Sequence, residues 1–134
     1  MSHWQDMNLQ DKVLKILKNV KPYDQHHHLN MPFLSPYQIA IKFAEQYPKE
    51  CEALDKPIGG KGSKSYNSIA QYIAGQLSRV VKDALESGAK IEIEGAFLLR
   101  DNLDELIYKY IGGEIRSSLG TTWDMSIFRY NPNC

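Results

Sequence analysis

The feature of the sequence most suited to chemistry is the stretch GGKGSKSYNS, residues 59–68, which lies directly before a long helical pattern. Glycines, lysines and hydroxyl groups at the start of a helix are what a phosphate-binding loop requires, because backbone N–H groups and the helix dipole favour an anion there. The phosphate could be that of a nucleotide or that of a nucleic-acid backbone. These residues are also consistent with a solvated loop that binds no phosphate.

The spacing of the loop does not fit a nucleoside-triphosphate site. The Walker A loop needs Gly-x-x-x-x-Gly-Lys-Ser/Thr between a buried strand and a helix. Here Ser63 separates Gly62 from Lys64, so the spacing fails by one residue. Residues 50–58 are polar and contain Pro57, so no buried strand is predicted before the loop.

Charge is unevenly distributed along the chain, although the net charge is zero. Residues 56–82 hold five bases and no acid, a net +5. Residues 1–55 hold six lysines against seven acids, a net −1, and residues 83–134 hold five bases against nine acids, a net −4. This asymmetry favours an anionic partner for the loop and for the helix that follows it.

The spacing of apolar residues predicts three helices that would position this loop. The first covers residues 9–20, with apolar side chains three and four residues apart. The second starts after Ser35, which forms a capping-box sequence with Gln38, and it ends at Pro48 or continues for a further turn through Leu54.

The third predicted helix follows the loop directly. It begins with a second capping-box sequence, Ser68 with Gln71, and Gly88 is the residue expected just after its C-terminus. Gly75 lies inside it and costs about 1 kcal/mol relative to alanine unless something packs closely there.

Beyond Gly88 the apolar period changes from 3.6 to 2, which predicts a half-buried strand at residues 91–94. Gly95 suggests a bulge or sharp bend before residues 96–99. A helix is predicted over residues 103–111, interrupted by the glycine pair 112–113, and residues 123–130 alternate as a last strand.

These elements predict a helix-rich α+β domain with a small antiparallel β-sheet, built from residues 90–99 and 123–130. A length of 134 residues fits a single domain, which we expect over residues 9–130. Residues 1–8 would then be a flexible N-terminus and residues 131–134 a C-terminal tail. No apolar run has membrane-spanning length and no secretory signal is recognised, so we expect no membrane partner.

Residues 76–95, QLSRVVKDALESGAKIEIEG, resemble the recognition helix and first wing strand of winged helix-turn-helix proteins. The matching residues are Leu77, Ser78, Arg79, Leu85, Gly88 and Ile91. Residues 33–48 are similar to the short strand and preceding helix of that fold, and the last strand would be the return strand of the wing. The resemblance implies a winged-helix-like fold that binds DNA.

The sequence departs from that family in two places. The connection formed by residues 48–67 is far longer than the tight turn of a compact helix-turn-helix. The wing strand carries Glu92 and Glu94, whose charges would repel a phosphate backbone if they faced it.

We therefore expect a small, non-enzymatic DNA-binding protein that uses a basic loop and helix N-terminus, residues 61–79, on double-stranded DNA. The lysines would contact phosphates, and outward-facing glutamine and arginine side chains would reach base edges. The predicted DNA-contacting residues are Lys61, Lys64, Ser65, Asn67, Gln71, Gln76 and Arg79.

The alternative function is a protein-interaction module, or a self-associating protein, that binds no nucleic acid. Eight tyrosines, zero net charge and a final strand that would leave an open sheet edge favour association. We expect a homo-oligomer, most simply a homodimer, under either function.

Other chemistries find little support in the sequence. Adjacent His26, His27 and His28 cannot all ligate one ion, because a site needs three or four convergent ligands; whether they bind metal stays open. No G-x-S-x-G nucleophile elbow is present, and we expect no enzyme. We also expect no cofactor and no metal. Cys51 and Cys134 form neither a disulfide framework nor a metal spacing, which suggests a reducing, cytoplasmic setting.

Overall fold

The computed structural model describes residues 3–22, 28–59, 68–99, 101–103, 106–116 and 124–132. Within these residues the helices are α1 His3–Asp6, α2 Leu9–Lys18, α3 Pro36–Gln46, α4 Pro48–Leu54 and α5 Ile69–Ser87. The strands are β1 Ile93–Leu98, β2 Ile107–Tyr110, β3 Gly113–Arg116 and β4 Met125–Tyr130. The predicted α+β class, helix-rich with small antiparallel sheets, is confirmed.

The helix caps and ends are found where the sequence predicts them. Ser35 and Gln38 form both bonds of a capping box: the Gln38 N–H donates to Ser35 Oγ at 3.3 Å, and the Ser35 N–H donates to Gln38 Oε1 at 2.8 Å. The chain continues past Pro48 into α4, as one of the two predicted alternatives has it. Gly88 ends α5 in the left-handed conformation, with φ of 74°.

The core lies where α2, α3 and α5 pack together against the sheet. Each helix contributes its apolar stripe, and β1 and β4 add Ile93, Met125 and Phe128. The fully buried helix residues with the largest side chains are Leu9, Val13, Ile16, Leu17, Tyr37, Ile39, Phe43, Ile69 and Leu77. The burial of such residues is the dominant favourable term in folding.

The N-terminal segment differs from the flexible arm predicted for residues 1–8. Residues 3–6 form α1, and Trp4 is 7% exposed within the core. Its ring meets the edge of the Tyr72 ring on α5, with the centroids 6.2 Å apart. A single tryptophan buries enough apolar area to hold a short helix against the domain.

The main sheet pairs β1 with β4 in antiparallel fashion, in the register Ile93 opposite Tyr130 through Leu98 opposite Met125. On the other side of β4, Leu34 forms an isolated bridge with Phe128. The spatial order is therefore Leu34, β4, β1. The final strand, predicted to leave an open edge, is covered along part of its outer side by Leu34.

Gly95 does not form the predicted bulge or bend, because β1 runs through it without interruption. It lies opposite Phe128, and a Cβ built on Gly95 would lie 3.4 Å from a ring carbon of that residue. The glycine therefore makes room for a buried aromatic ring and leaves the strand regular.

The helix predicted over residues 103–111 is wrong, since residues 107–116 form the antiparallel hairpin β2–β3. Apolar residues four apart imitated a helical period, but Ile107, Tyr108 and Tyr110 favour a strand. The glycine pair belongs to the tight turn of the hairpin, where Gly113 has φ of 131°.

Tyr108 attaches the hairpin to the domain. Its ring stacks on that of Tyr37 with centroids 5.2 Å apart, and its hydroxyl donates to Met125 Sδ at 3.6 Å. Burial raises the pKa of Tyr108, partly offset by a hydrogen bond with Ser35. The neutral phenol is therefore the form that the fold stabilises.

Arg129 joins the loop after α2 to the sheet. Its guanidinium lies 2.9 Å from Glu94 Oε1 and donates to the carbonyls of Leu29, at 2.7 Å, and Met31, at 3.2 Å. It also stacks over the Phe33 ring at 4.5 Å. This fork fixes the chain just before Leu34 enters its bridge.

We expect Arg129→Lys to lower the free energy of unfolding by about 1–3 kcal/mol, because one ammonium cannot reach both the carboxylate and two carbonyls. Urea denaturation measures the change. The control is Glu86→Gln, which removes an exposed 4.0 Å ion pair with Lys82 and should cost less than about 0.5 kcal/mol. Equal effects of the two changes would contradict an anchoring role for Arg129.

We expect Tyr108→Phe to lessen the loss of stability above about pH 9. A pKa raised on folding contributes stability below the unfolded pKa, and this stability is lost as pH rises through the folded pKa. Unfolding free energies at neutral and alkaline pH, compared between the two proteins, measure the difference. Parallel pH profiles would show that Tyr108 ionisation is not linked to folding.

Candidate nucleic-acid interface

The first turn of α5 is held by the chain that precedes the loop. The N–H groups of Ile69 and Ala70 donate to the carbonyls of Pro57, at 2.8 Å, and Ile58, at 2.9 Å. The Gln71 N–H donates to the Ser68 side chain at 3.1 Å, as the second capping-box sequence predicts. These N–H groups therefore have partners within the chain, so they are not the open donors expected for an anion at the start of this helix.

Gly59 allows this close approach. It has φ of 143°, and a Cβ built on it would lie 2.9 Å from Ala70 Cβ and 3.3 Å from Ser68 Oγ. Both ends of the loop formed by residues 60–67 are thus attached to the first turn of α5. The residues on either side of this loop therefore meet at the N-terminal end of the helix.

The predicted DNA-contacting residues divide into two groups. Four of them lie outside the described residues: Lys61, Lys64, Ser65 and Asn67. The other three lie on α5, where Arg79 is exposed and Gln71 and Gln76 are half-buried.

The outer face of α5 follows from its helical period of about 100° per residue. With Ile73 and Leu77 in the core, the opposite face carries Gln71, Gly75 and Arg79. Lys82, a base that the sequence-based set omitted, lies on this face as well. Gln76 lies toward the flank of the helix, so it does not share the outer face with the other predicted residues.

The charge of α5 changes sign along its length. The part before residue 80 holds Arg79 and no acid, whereas the second half holds Lys82 with Asp83 and Glu86. Lys82 and Glu86 lie 4.0 Å apart with mostly exposed side chains, so the pair is weak. Lys56 adds a further positive charge near the N-terminal end, with Nζ 5.8 Å from the centroid of the Tyr72 ring.

The acidic residues at the start of β1, which the sequence resemblance predicts as a wing strand, are partly accounted for. Glu94 Oε1 accepts from Arg129 Nε at 3.0 Å and from Asn131 Nδ2 at 2.6 Å. Its charge is therefore neutralised by Arg129, and the repulsion expected from Glu94 largely disappears. Glu92 remains exposed at the beginning of the strand.

Sequence reasoning missed the carbonyls of Pro57 and Ile58 as partners of α5. The available signal was Gly59 directly after them, since a glycine in a polar connection marks a close backbone approach. The long connection that departs from a compact helix-turn-helix thus contains an attached part, residues 56–59, before the loop itself.

A metal centre and a membrane-spanning helix are both absent from the described part of the chain. No three His, Cys, Asp or Glu side chains are placed there to hold a metal ion; His26 and His27 lie outside it. Among the same residues, no helix combines the length and the apolar character needed to cross a bilayer.

Comparisons of the chain with protein-family models, with characterised proteins and with solved structures gave no match.

Gly75 has no packing role that would explain it, because a Cβ built there would meet none of the described residues within 4 Å apart from the local helix backbone. We expect Gly75→Ala to raise the free energy of unfolding by about 0.5–1 kcal/mol, the helix propensity difference. Gly59→Ala should instead lower it, because of the positive φ and the 2.9 Å contact. Urea denaturation checks both; a destabilised Gly75→Ala variant would contradict the open outer face.

Proposed function

We propose that the protein is a small, non-enzymatic DNA-binding protein of winged-helix type that presents residues 61–79 to duplex DNA, as a homodimer. The observation that carries the proposal is the attachment of the loop. A segment with five bases and no acid has its loop attached at both ends to the first turn of α5, whose outer face is open at Gly75 and Arg79.

The order of the elements supports the winged-helix part of the proposal. After α2 and the bridge residue Leu34, the chain forms α3, α4, α5, β1 and, beyond the hairpin β2–β3, β4. Across the sheet the order is Leu34, β4, β1. This arrangement matches the short strand, recognition helix and two wing strands that the sequence resemblance implies. The hairpin β2–β3 is an addition between the two wing strands.

The chemistry of binding follows from side chains alone, since the N–H groups at the start of α5 are already bonded. Lys61 and Lys64 would neutralise phosphates and release counterions. The outer face of α5 would enter the major groove, where Arg79 can donate to guanine and Gln71 can pair with adenine. Gly75 between them allows the helix backbone to approach the DNA closely.

A second candidate function is a protein-interaction module that binds no nucleic acid. It is favoured by exposed apolar residues on the second half of α5, on β1 and directly after β1, among them Leu85, Phe97 and Leu99. Such a cluster is more typical of a protein interface than of a DNA-binding surface.

The two functions differ in how binding responds to salt. We expect random duplex DNA, followed by fluorescence anisotropy, to bind at about 50 mM salt and to lose one or more orders of magnitude in affinity at about 200 mM. Reversing Lys61, Lys64 and Arg79 to Glu should remove up to three contacts and lower the slope of log K against log salt by up to about 3.

The matched control reverses Lys15, Lys21 and Lys90, which are exposed and lie on α2, after it, and beyond the C-terminal end of α5. It changes the net charge by the same amount and should retain most of the affinity. Equal losses in the two triple variants would indicate a non-specific charge effect and contradict the proposed surface. Absence of binding at the lower salt concentration would reject DNA as the partner.

A further inference from the structure

An apolar groove separates the second half of α5 from β1. Its recess of about 440 Å³ is lined on the helix side by Val81 and Leu85 and on the strand side by Gly95 and Phe97. Leu85 is 80% exposed and Phe97 66% exposed, which is unusual for two large apolar side chains that face one recess. We call this surface, together with the adjacent edge of β1, the edge groove.

The hydrogen bonds of β4 determine which backbone groups β1 leaves unpaired. The N–H and C=O of Phe128 both bond to Leu34, at 2.9 and 2.8 Å, so they point away from β1. Since successive residues of a strand point their backbone groups in opposite directions, Ile127 and Arg129 point toward β1. Their partners there are Ala96 and Glu94.

The backbone groups of Ile93, Gly95 and Phe97 therefore point to the outer edge of β1. A bond between the Asn131 N–H and the Glu92 carbonyl, at 2.8 Å, continues the same alternation. Within the described part of the chain no strand pairs with this outer edge.

Ile93, Gly95 and Phe97 share the face of the sheet toward α5. Ile93 is buried, and a Cβ built on Gly95 would lie 3.7 Å from Val81 Cγ2. Phe97, two residues further on, shares this face by the period of the strand. Phe128 and Val81 fill the space over Gly95, so the outer edge combines backbone groups that have no strand partner among the described residues with an exposed aromatic ring next to the groove.

We propose that the edge groove is occupied by a second copy of this chain, whose β1 pairs antiparallel with the first about a two-fold axis at Ala96. This register places Phe97 of each copy opposite Gly95 of the other, as hydrogen-bonded pairs. Each ring would then enter the other copy's groove against Leu85, beside the Phe128 ring that already covers Gly95. The result is a continuous sheet in the order β4, β1, β1, β4.

A second copy fits the edge better than a charged partner. Ile93, Gly95 and Phe97 carry no charge, and the Glu94 charge is compensated by Arg129. The recess also holds Lys82 and Asp124, whose charges are opposite, and the chain has zero net charge, so two copies do not repel through their net charge. β1 also lacks the proline, bulge or lysine with which proteins protect an exposed edge. A two-fold axis needs one surface that complements itself, and in this register the outward-pointing backbone groups of one β1 face those of the other.

The dimer does not depend on DNA binding, so sedimentation velocity without DNA tests it independently between about 1 and about 100 µM. We expect a dimer, and we expect Phe97→Lys to raise its dissociation constant at least about tenfold, because the variant replaces an apolar ring in the groove with a charged ammonium group. Ile111→Lys is the matched control: Ile111 is 95% exposed at the turn between β2 and β3, and the variant should dimerise like the original chain.

A cysteine at the axis tests the register without relying on the folding of the lysine variant. In a chain with Cys51→Ala and Cys134→Ser, Ala96→Cys should form an intermolecular disulfide on mild oxidation, because residues opposite each other in a non-hydrogen-bonded pair have nearby Cβ atoms. Lys90→Cys, exposed outside the strand, should not. A monomer at the highest concentration, a dimer unaffected by Phe97→Lys, or a dimer that does not cross-link at residue 96 would overturn the proposal.

Discussion

Two backbone hydrogen bonds between Leu34 and Phe128 join the entrance of α3 to the last strand, and much of the remaining structure depends on them. They place Ser35 where it can cap α3, and they hold the ring of Phe128 over Gly95. They also orient the backbone of β4, and through it the backbone of β1. A local pairing at one residue therefore determines which groups the far edge of the sheet presents.

Helix α5 carries two different surfaces, one in each half of its length. Its core face is fixed by packing against α3 and by the carbonyls of Pro57 and Ile58, and its opposite face is exposed among the described residues at Gly75 and Arg79. The N-terminal half has Arg79 without acids and the attached basic loop, whereas the second half has compensated charges and the exposed Leu85 beside β1. Ligand binding at one end and self-association at the other would then be compatible on a single helix.

The sequence predicted the elements whose signals are local. Helices α3 and α5 were found from their caps and apolar stripes, and β1 and β4 were found from alternation, because these signals act within a few residues. The hairpin β2–β3 was missed since Ile107 and Ile111 imitate a helical spacing, whereas the stacking of Tyr108 on Tyr37, which is not local, favours the strand. The role of Trp4 likewise depends on Tyr72, far along the chain.

The composition of the candidate site was predictable from the sequence, but the hydrogen bonds of its backbone groups were not. The base-rich segment is visible in the sequence, yet the bonds of Ile69 and Ala70 to Pro57 and Ile58 involve backbone atoms that carry no residue-specific signal. The final strand was predicted to leave an open edge, and the bridge from Leu34 that covers part of this edge was missed for a similar reason. The resemblance implied a short strand at the start of residues 33–48 but not the strand with which it pairs, and Leu34 supplies a single bridge to Phe128.

Amide chemical-shift mapping with an unlabelled DNA duplex tests the central claim most directly, because it locates contact on the chain and reports separate surfaces in one experiment. We expect the largest changes in residues 60–67 and at Gln71, Gly75 and Arg79, with the amides of Gly95 and Phe97 unchanged. Changes confined to β1 and the second half of α5, or no changes at low salt, would contradict the assignment of the N-terminal half of α5 to DNA.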